Sequence, residues 1–524
     1  MINLIKIILD KHILKLVLAI FIIELFSLIS FKFPILSCVF FILIAIIVLL
    51  FTLYKLEYGL LIALTELMIG SQGYLFYLNL GSFKVSMRLG IFLIVFFVWL
   101  FKYFKPKTYW QEFKKNPLWQ NFALLLLFIA IGVINGILRH NGLSNVFFDF
   151  NGYLYFGLFF VFYEVFKTQR QVINFLKVFL SALIYVCLEI FFTLYLFSHN
   201  IPYLSDLFYT WIRDTRVGEI TYAGANFFRI FFQSQVWSLE AIFIISCLIF
   251  GYLLTQKNPL CHPEPVEGSM IARSQGFLTL FKRTERVFIY LYLILIAVQT
   301  SILISFSRSF WLGGMAGFIA LFAYLIFIQR LKIKKLAQLV AISISSGVLS
   351  IALLFIIANF PLPPTSGLFS ASMIADRFAM ISGEAGVSSR WHLLPILVNK
   401  IKESPLIGTG FGTTVTYKTD DPRIKNAANP EGWYTTYTFE WGYLDTITEI
   451  GILGLLVYLV FIGQIMYQGL KNLKTRPLDW LNLGLLLGLV VLLVTHAFSP
   501  YLNHPLGIGY LMIAASILQM KKDG

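Results

Sequence analysis

The sequence predicts an all-α, polytopic integral membrane protein with about 12–14 transmembrane helices and one large periplasmic or extracellular loop. Three observations predict it. Hydrophobic residues make up 58% of the 524 positions and charged residues 13%, against roughly 45–50% and 25% in soluble globular domains. The mean hydropathy is +0.80. Apolar runs approaching the roughly 20 residues that a bilayer crossing needs recur along the whole chain. A soluble enzyme is thereby excluded, and residues 1–524 read as a single membrane domain.

In order, the runs lie at 13–31, 34–53, 58–78, 89–103, 118–138, 150–166, 173–197, 230–254, 287–304, 310–328, 336–360, 447–467, 481–494 and 506–520, separated by charged or Gly/Pro breaks. The third is the weakest, because Glu66, Gly70 and Gly73 interrupt it, and the last two are short. The basic start of the chain leads into the first run without an Ala-x-Ala-like cleavage site, which reads as an uncleaved first span. With that end in the cytoplasm and alternation thereafter, most of the 41 Lys and Arg fall on the cytoplasmic side, as the positive-inside rule requires. The net charge of +15 then reflects topology and contact with membrane lipids. No nucleic-acid partner is expected, and both termini are expected in the cytoplasm.

Cys38, Cys187 and Cys247 lie in apolar runs and Cys261 in a polar loop, so neither a disulfide framework nor a metal site is expected. Residues 258–276 form a polar, Pro-rich cytoplasmic insert to which no function is assigned. Residues 361–445 form the large outer loop. Aromatics between Trp391 and Trp441 and a helical stretch over 388–402 predict that it folds.

The cations of the short outer loops are Lys32, Lys84, Arg88, Arg139, Arg213, Arg216, Arg229 and Arg308. They are mostly arginine, whereas the cytoplasmic set is mostly lysine. The arginine fork suits phosphate and carboxylate, and lysine suffices for topology, so the outer face suggests a diphosphate or acidic-sugar ligand. Contact with lipid headgroups is the competing account of any single one. Arg308 sits between two apolar runs with almost no loop to solvate it and needs a partner. A buried carboxylate such as Glu240 or a ligand would serve. Glu24, Glu66, Glu189 and Glu240 interrupt apolar runs, where structural and proton-path roles are equally open.

Arg308-Ser309-Phe310-Trp311-Leu312 is an Arg-x3-Leu element, and Glu440-Trp441, nine residues and Gly451-Ile452-Leu453-Gly454 give the spacing of a second. Between them Ser389-Arg390-Trp391 opens a helix, and Ser404-Pro405-Leu406-Ile407-Gly408-Thr409-Gly410-Phe411-Gly412 closes it. In order, spacing and membrane side these elements resemble the bacterial O-antigen ligase and polysaccharide polymerase family, over residues 230–467. The resemblance implies a glycosyltransferase of the bacterial cytoplasmic (inner) membrane, inverting, without metal or cofactor. Its implied donor is an undecaprenyl diphosphate-linked glycan, and its acceptor a glycan or lipid A-core of lipopolysaccharide. It further implies catalytic roles for Glu440, Arg308 and Arg390; substrate contact is expected of Arg216 and Trp441, and of Arg229 from its place at the outer end of the eighth run.

The chain departs from the family where the second element begins. The family has His followed by Asn, Ser or Gln, and this chain has Glu440 and Trp441. A carboxylate raised by burial, or one that orients the acceptor hydroxyl, can do the work of that His. Gly408, Gly410 and Gly412 follow no strand, so a tight turn is expected instead of a nucleotide loop. His392, His496 and His504 lack metal-ligand spacing. The rival readings are a lipid-linked oligosaccharide flippase or other transporter and a peptidoglycan-type glycosyltransferase. The lack of repeated halves and the charge at the outer ends favour an enzyme over a transporter.

Overall fold

The computed structural model describes residues 11–81, 83–224, 227–256, 270–363, 370, 385–421, 424–475 and 479–520. Most of the insert at 258–276, with Cys261, lies outside them. In chain order the helices are α1 (Lys11–Ser30), α2 (Pro34–Tyr54), α3 (Leu56–Ile69), α4 (Met87–Val98), α5 (Pro106–Phe113), α6 (Trp119–Leu138), α7 (Leu143–Phe150), α8 (Leu158–Val165), α9 (Gln169–Ser198), α10 (Leu204–Asp214), α11 (Gln235–Gln256), α12 (Met270–Ser305), α13 (Arg308–Ala323), α14 (Ile333–Ala358), α15 (Ala385–Lys402), α16 (Gly442–Thr475), α17 (Trp480–His496) and α18 (Pro505–Ile517). Ten described helical segments are long and apolar enough to cross a membrane, or 11 if the bent pair Met87–Tyr103 and Lys107–Phe113 is one span. α17 and α18 are shorter apolar helices. The protein is an all-α polytopic membrane protein.

Burial sorts these helices into centre and rim. α11 and α17 pack on each other, α12 flanks α11, and α13 flanks α17. α11 is apolar all round and almost wholly enclosed, as a central helix must be. α1, α2 and α14 expose Leu14, Phe21, Ile35, Leu50, Ile344 and Ile356, as expected where hydrocarbon is the solvent. α6 packs on α16, and α9 on α1 and α3.

Three antiparallel hairpins break the helical order: β1 (Tyr77–Leu80) with β2 (Phe83–Ser86), β3 (Gly218–Gly224) with β4 (Phe227–Phe232), and β5 (Val415–Lys418) with β6 (Trp433–Thr436). The third apolar run, expected as a span, is instead α3, a glycine turn and β1. Gly73 has φ +88°, and a Cβ there would meet the Arg88 side chain at 2.5 Å. The eighth run likewise divides, with 230–232 in β4 and α11 beginning only at Gln235. The described part of the 361–445 loop folds on a small core of its own, formed by Leu393, Leu397, Val415, Tyr417 and Phe439.

Candidate functional site

At one end of the bundle lies a cavity of about 660 Å³, whose wall holds Arg213, Arg216, Arg229, Arg308 and Arg390 against two carboxylates, Glu219 and Glu440. Five sequence-predicted site residues (Arg216, Arg229, Arg308, Arg390 and Glu440) therefore meet in one place, from four separate stretches of chain. The two carboxylates pair with Arg390 and Arg213, and the excess of arginine over carboxylate among the described wall residues favours an anion.

Arg308 opens α13. Phe306, just before it, has φ +47°, a conformation that a bulky side chain adopts only when its surroundings impose it. Phe227 at 4.9 Å and Trp311 at 5.9 Å hold that ring. The sharp reversal between α12 and α13 brings Arg308 and the first amides of α13 to the cavity. The positive end of a helix dipole and an arginine at its first position both favour an anion. Ser307 and Ser309 share a hydrogen bond at 3.0 Å, and Ser309 meets Ser499 at 3.0 Å.

Arg229 projects from the second hairpin, where it pairs with Thr221 in the register. Its Nε donates to the Ser305 carbonyl at 2.8 Å, and its guanidinium lies 4.9 Å from the Phe231 ring. Burial lowers its pKa from the ordinary arginine value, with Glu219 opposing and Arg390 adding to the shift. Arg216, at φ +55°, lies over Tyr74 at 4.9 Å. Sequence reasoning placed Arg229 at the end of a span, but a strand holds it.

Arg390 comes from α15 and ion-pairs with Glu440 on the cavity wall. Glu440 is 57% exposed at its side chain. Trp441 stands behind this wall: its Nε1 donates to the Arg390 carbonyl at 3.0 Å, and its ring packs on Trp391 and Phe498 at 5.8 and 5.7 Å. It fixes Arg390 and does not itself line the cavity.

The glycine of the second element has a structural cause. α16 is broken at Gly451, which adopts φ 77° and ψ 174°. The break leaves backbone groups without partners inside the helix, and the Pro-Leu-x-Gly turn takes them. Ile452 N–H donates to Pro405 O at 2.9 Å and Leu453 N–H to Leu406 O at 3.2 Å, while Thr448 O accepts from Thr409 N–H at 2.8 Å. A Cβ at Gly451 would lie 2.2 Å from Leu406 O, and one at Gly410 2.2 Å from the Gly136 nitrogen. The turn therefore threads between α6 and α16 with no room for side chains, which bears out a tight turn instead of a nucleotide loop.

Other expectations resolve differently. Arg88 belongs to an internal pair: Nε and Nη2 reach Glu66 at 2.8 and 3.1 Å, and Nη1 donates to Ser71 O at 2.5 Å. Glu24 accepts from Tyr185 Oη at 2.8 Å. Glu240 is fully buried, and its carboxylate oxygens make no hydrogen bond among the described residues, so it is not the partner of Arg308. His504 accepts the backbone N–H of Leu506, the satisfied polar role expected of it, whereas His496 accepts that of Leu502 at Nδ1 and keeps Nε2 buried with no hydrogen bond among the described residues. Sequence reasoning missed Glu219 and Gln233 on the arginine cavity and the carboxylates Asp149, Asp445 and Glu449 beside it. Glu449 was detectable by the criterion that drew notice to Glu24 and Glu66, since it too interrupts an apolar stretch.

A search of curated proteins finds no match to the chain. The O-antigen ligase family model matches residues 291–459, from within α12 through Arg308, Arg390 and Glu440 to beyond Gly451. Residues 291–459 are thus O-antigen ligase-like, within a chain whose helical bundle is that of a multi-pass membrane protein.

Proposed function

We propose that the protein transfers a glycan from an undecaprenyl diphosphate carrier to an acceptor glycan or lipid A-core, at the outer face of the bacterial cytoplasmic membrane with both termini inside. The observation that supports this reading best is the convergence of Arg213, Arg216, Arg229, Arg308 and Arg390 on one cavity with Glu440 on its wall. The diphosphate occupies the arginine cavity. An acceptor hydroxyl oxygen attacks the anomeric carbon from the face opposite the diphosphate, and the carbon–oxygen bond to phosphate breaks. The electron pair leaves on the diphosphate, where the arginines stabilise the growing charge. The hydroxyl proton passes to the Glu440 carboxylate. Inversion follows from the single displacement, and the arginines supply the positive charge without a metal.

Substituting Arg308→Lys tests the reading in protein reconstituted with lipid-linked donor. Lysine keeps the charge and loses the two-pronged contact, so transfer should fall by about 10²-fold or more, in line with the loss of one preorganised donor, while insertion is unchanged. A rate within a few-fold of wild type would reduce Arg308 to a structural cation.

A further inference from the structure

A second cavity of about 270 Å³ adjoins the first, and Gln72, Arg216, Pro500 and His504 line both. Its chemistry is of the opposite sign. Asp149 from α7 and Asp445 and Glu449, one turn apart on α16, form part of its wall. Two of these carboxylates are committed to the fold: Asp149 Oδ2 accepts from Gly412 N–H at 2.6 Å, and Glu449 Oε2 accepts from Tyr153 Oη at 2.5 Å and Asn503 Nδ2 at 3.0 Å. Asp445 Oδ2 accepts from the same Asn503 amide at 3.2 Å. Asp445 is only 4% exposed, and its Oδ1 has no hydrogen-bond partner among the described residues. Buried acceptors are nearly always satisfied, so an open one on a cavity wall points to a donor from outside the chain.

The remaining wall narrows the class of that donor. Tyr74, Tyr155 and Tyr437 bring aromatic rings. Of the cations there, Arg88 is bound by Glu66, Lys84 lies over Tyr77 at 4.4 Å, and Arg216, which lies over Tyr74, also faces the arginine cavity. A carboxylate ligand would add a fourth carboxyl group beside the three already on this wall, a costly burial. A hydroxyl-rich neutral ligand hydrogen-bonds the open oxygen and lays its apolar ring face on tyrosine. The volume is slightly below that of ordinary ligand pockets, about 300 Å³ and upward, and suits one sugar ring.

We propose that this cavity is the subsite for the reacting sugar of the acceptor, a neutral pyranose that donates a hydroxyl hydrogen bond to Asp445. The inference rests on the assignment of the arginine cavity to the donor diphosphate, and the shared wall sets the two substrates side by side.

The test uses the full-length protein in nanodiscs and saturation-transfer NMR with the methyl glycosides of glucose, galactose, mannose, N-acetylglucosamine and glucuronic acid. Undecaprenyl diphosphate binding is measured in parallel. At least one neutral glycoside should give a signal that falls tenfold or more in both Asp445→Ala and Tyr437→Ala, and the glucuronide should give none. Undecaprenyl diphosphate should bind both variants as it binds wild type, which also establishes their folding. Should Asp445→Ala not fold, Tyr437→Ala, altered at a half-buried loop residue, decides alone. The proposal is overturned if no neutral glycoside binds wild type, if the folded variants keep full binding, or if the glucuronide binds equally. Sugar binding without lipid diphosphate binding would overturn the donor assignment and keep the subsite, and the converse would remove the subsite alone.

Discussion

Glu440 occupies the position at which the chain departs from the pattern of the O-antigen ligases it resembles, and its surroundings distinguish a chemical role from a structural one. Its carboxylate pairs with Arg390 at a site open to solvent, and exposed ion pairs contribute only about 0–1 kcal/mol to stability. Its loss should therefore leave the fold nearly intact. Glu440→Gln keeps the shape and removes the charge, so the melting temperature in detergent should stay close to wild type and donor binding should persist. Transfer should fall by roughly 10²–10⁴, the usual contribution of a positioned acid or base, with Glu440→His restoring part of it. A Gln variant that melts, binds and transfers like wild type would remove Glu440 from the mechanism.

Among the elements, α16 shows what spacing alone conveys and what it hides. The distance from Glu440 to Gly451 was legible in the sequence as a pattern, yet its physical meaning lies in the docked turn, which no local propensity reveals. Gly451→Ala should be costly. At φ 77° and ψ 174°, a conformation open essentially only to glycine, alanine costs about 1–3 kcal/mol, and the clash with Leu406 O adds to it, so a loss of several kcal/mol in unfolding, with reduced protease resistance of residues 404–413, is expected. Gly463 lies in the same helix with nothing within 4 Å of its would-be Cβ. Gly463→Ala should be neutral or stabilising by up to ~1 kcal/mol, and equal effects at the two glycines would show that the break carries no docking. The second hairpin was illegible for a different reason. The apolar residues of β4 adjoin those of α11, so periodicity merged a strand with the helix behind it, and only the tertiary pairing of Thr221 with Arg229 separates them.

Across the whole molecule, composition and charge bias sufficed for the fold class, because the bilayer constrains an all-α solution and penalises stray charge. The arginine cavity was legible only in part. Residue type and membrane side marked Arg216, Arg229 and Arg308, but Arg88 satisfied the same criteria and turned out to be spent on Glu66. Charge bias also yields an orientation that labelling can check. In a cysteine-free background, Thr416→Cys should react with a membrane-impermeant maleimide in intact cells, and Lys334→Cys, in the exposed first turn of α14, should react only after permeabilisation. The reverse would place the arginine cavity in the cytoplasm.

The broken helix bears finally on how such proteins can recombine. The turn at residues 405–410 supplies hydrogen-bond partners for Thr448, Ile452 and Leu453, and α6 supplies Asn135, whose amide reaches Gly408 O at 3.2 Å. Grafting in a foreign loop alone would strand those groups within the membrane-spanning helix, at several kcal/mol for each one that lipid leaves unpaired. Exchange of residues 404–413 is therefore expected to be tolerated only when α16 and the α6 that packs on it are exchanged with them.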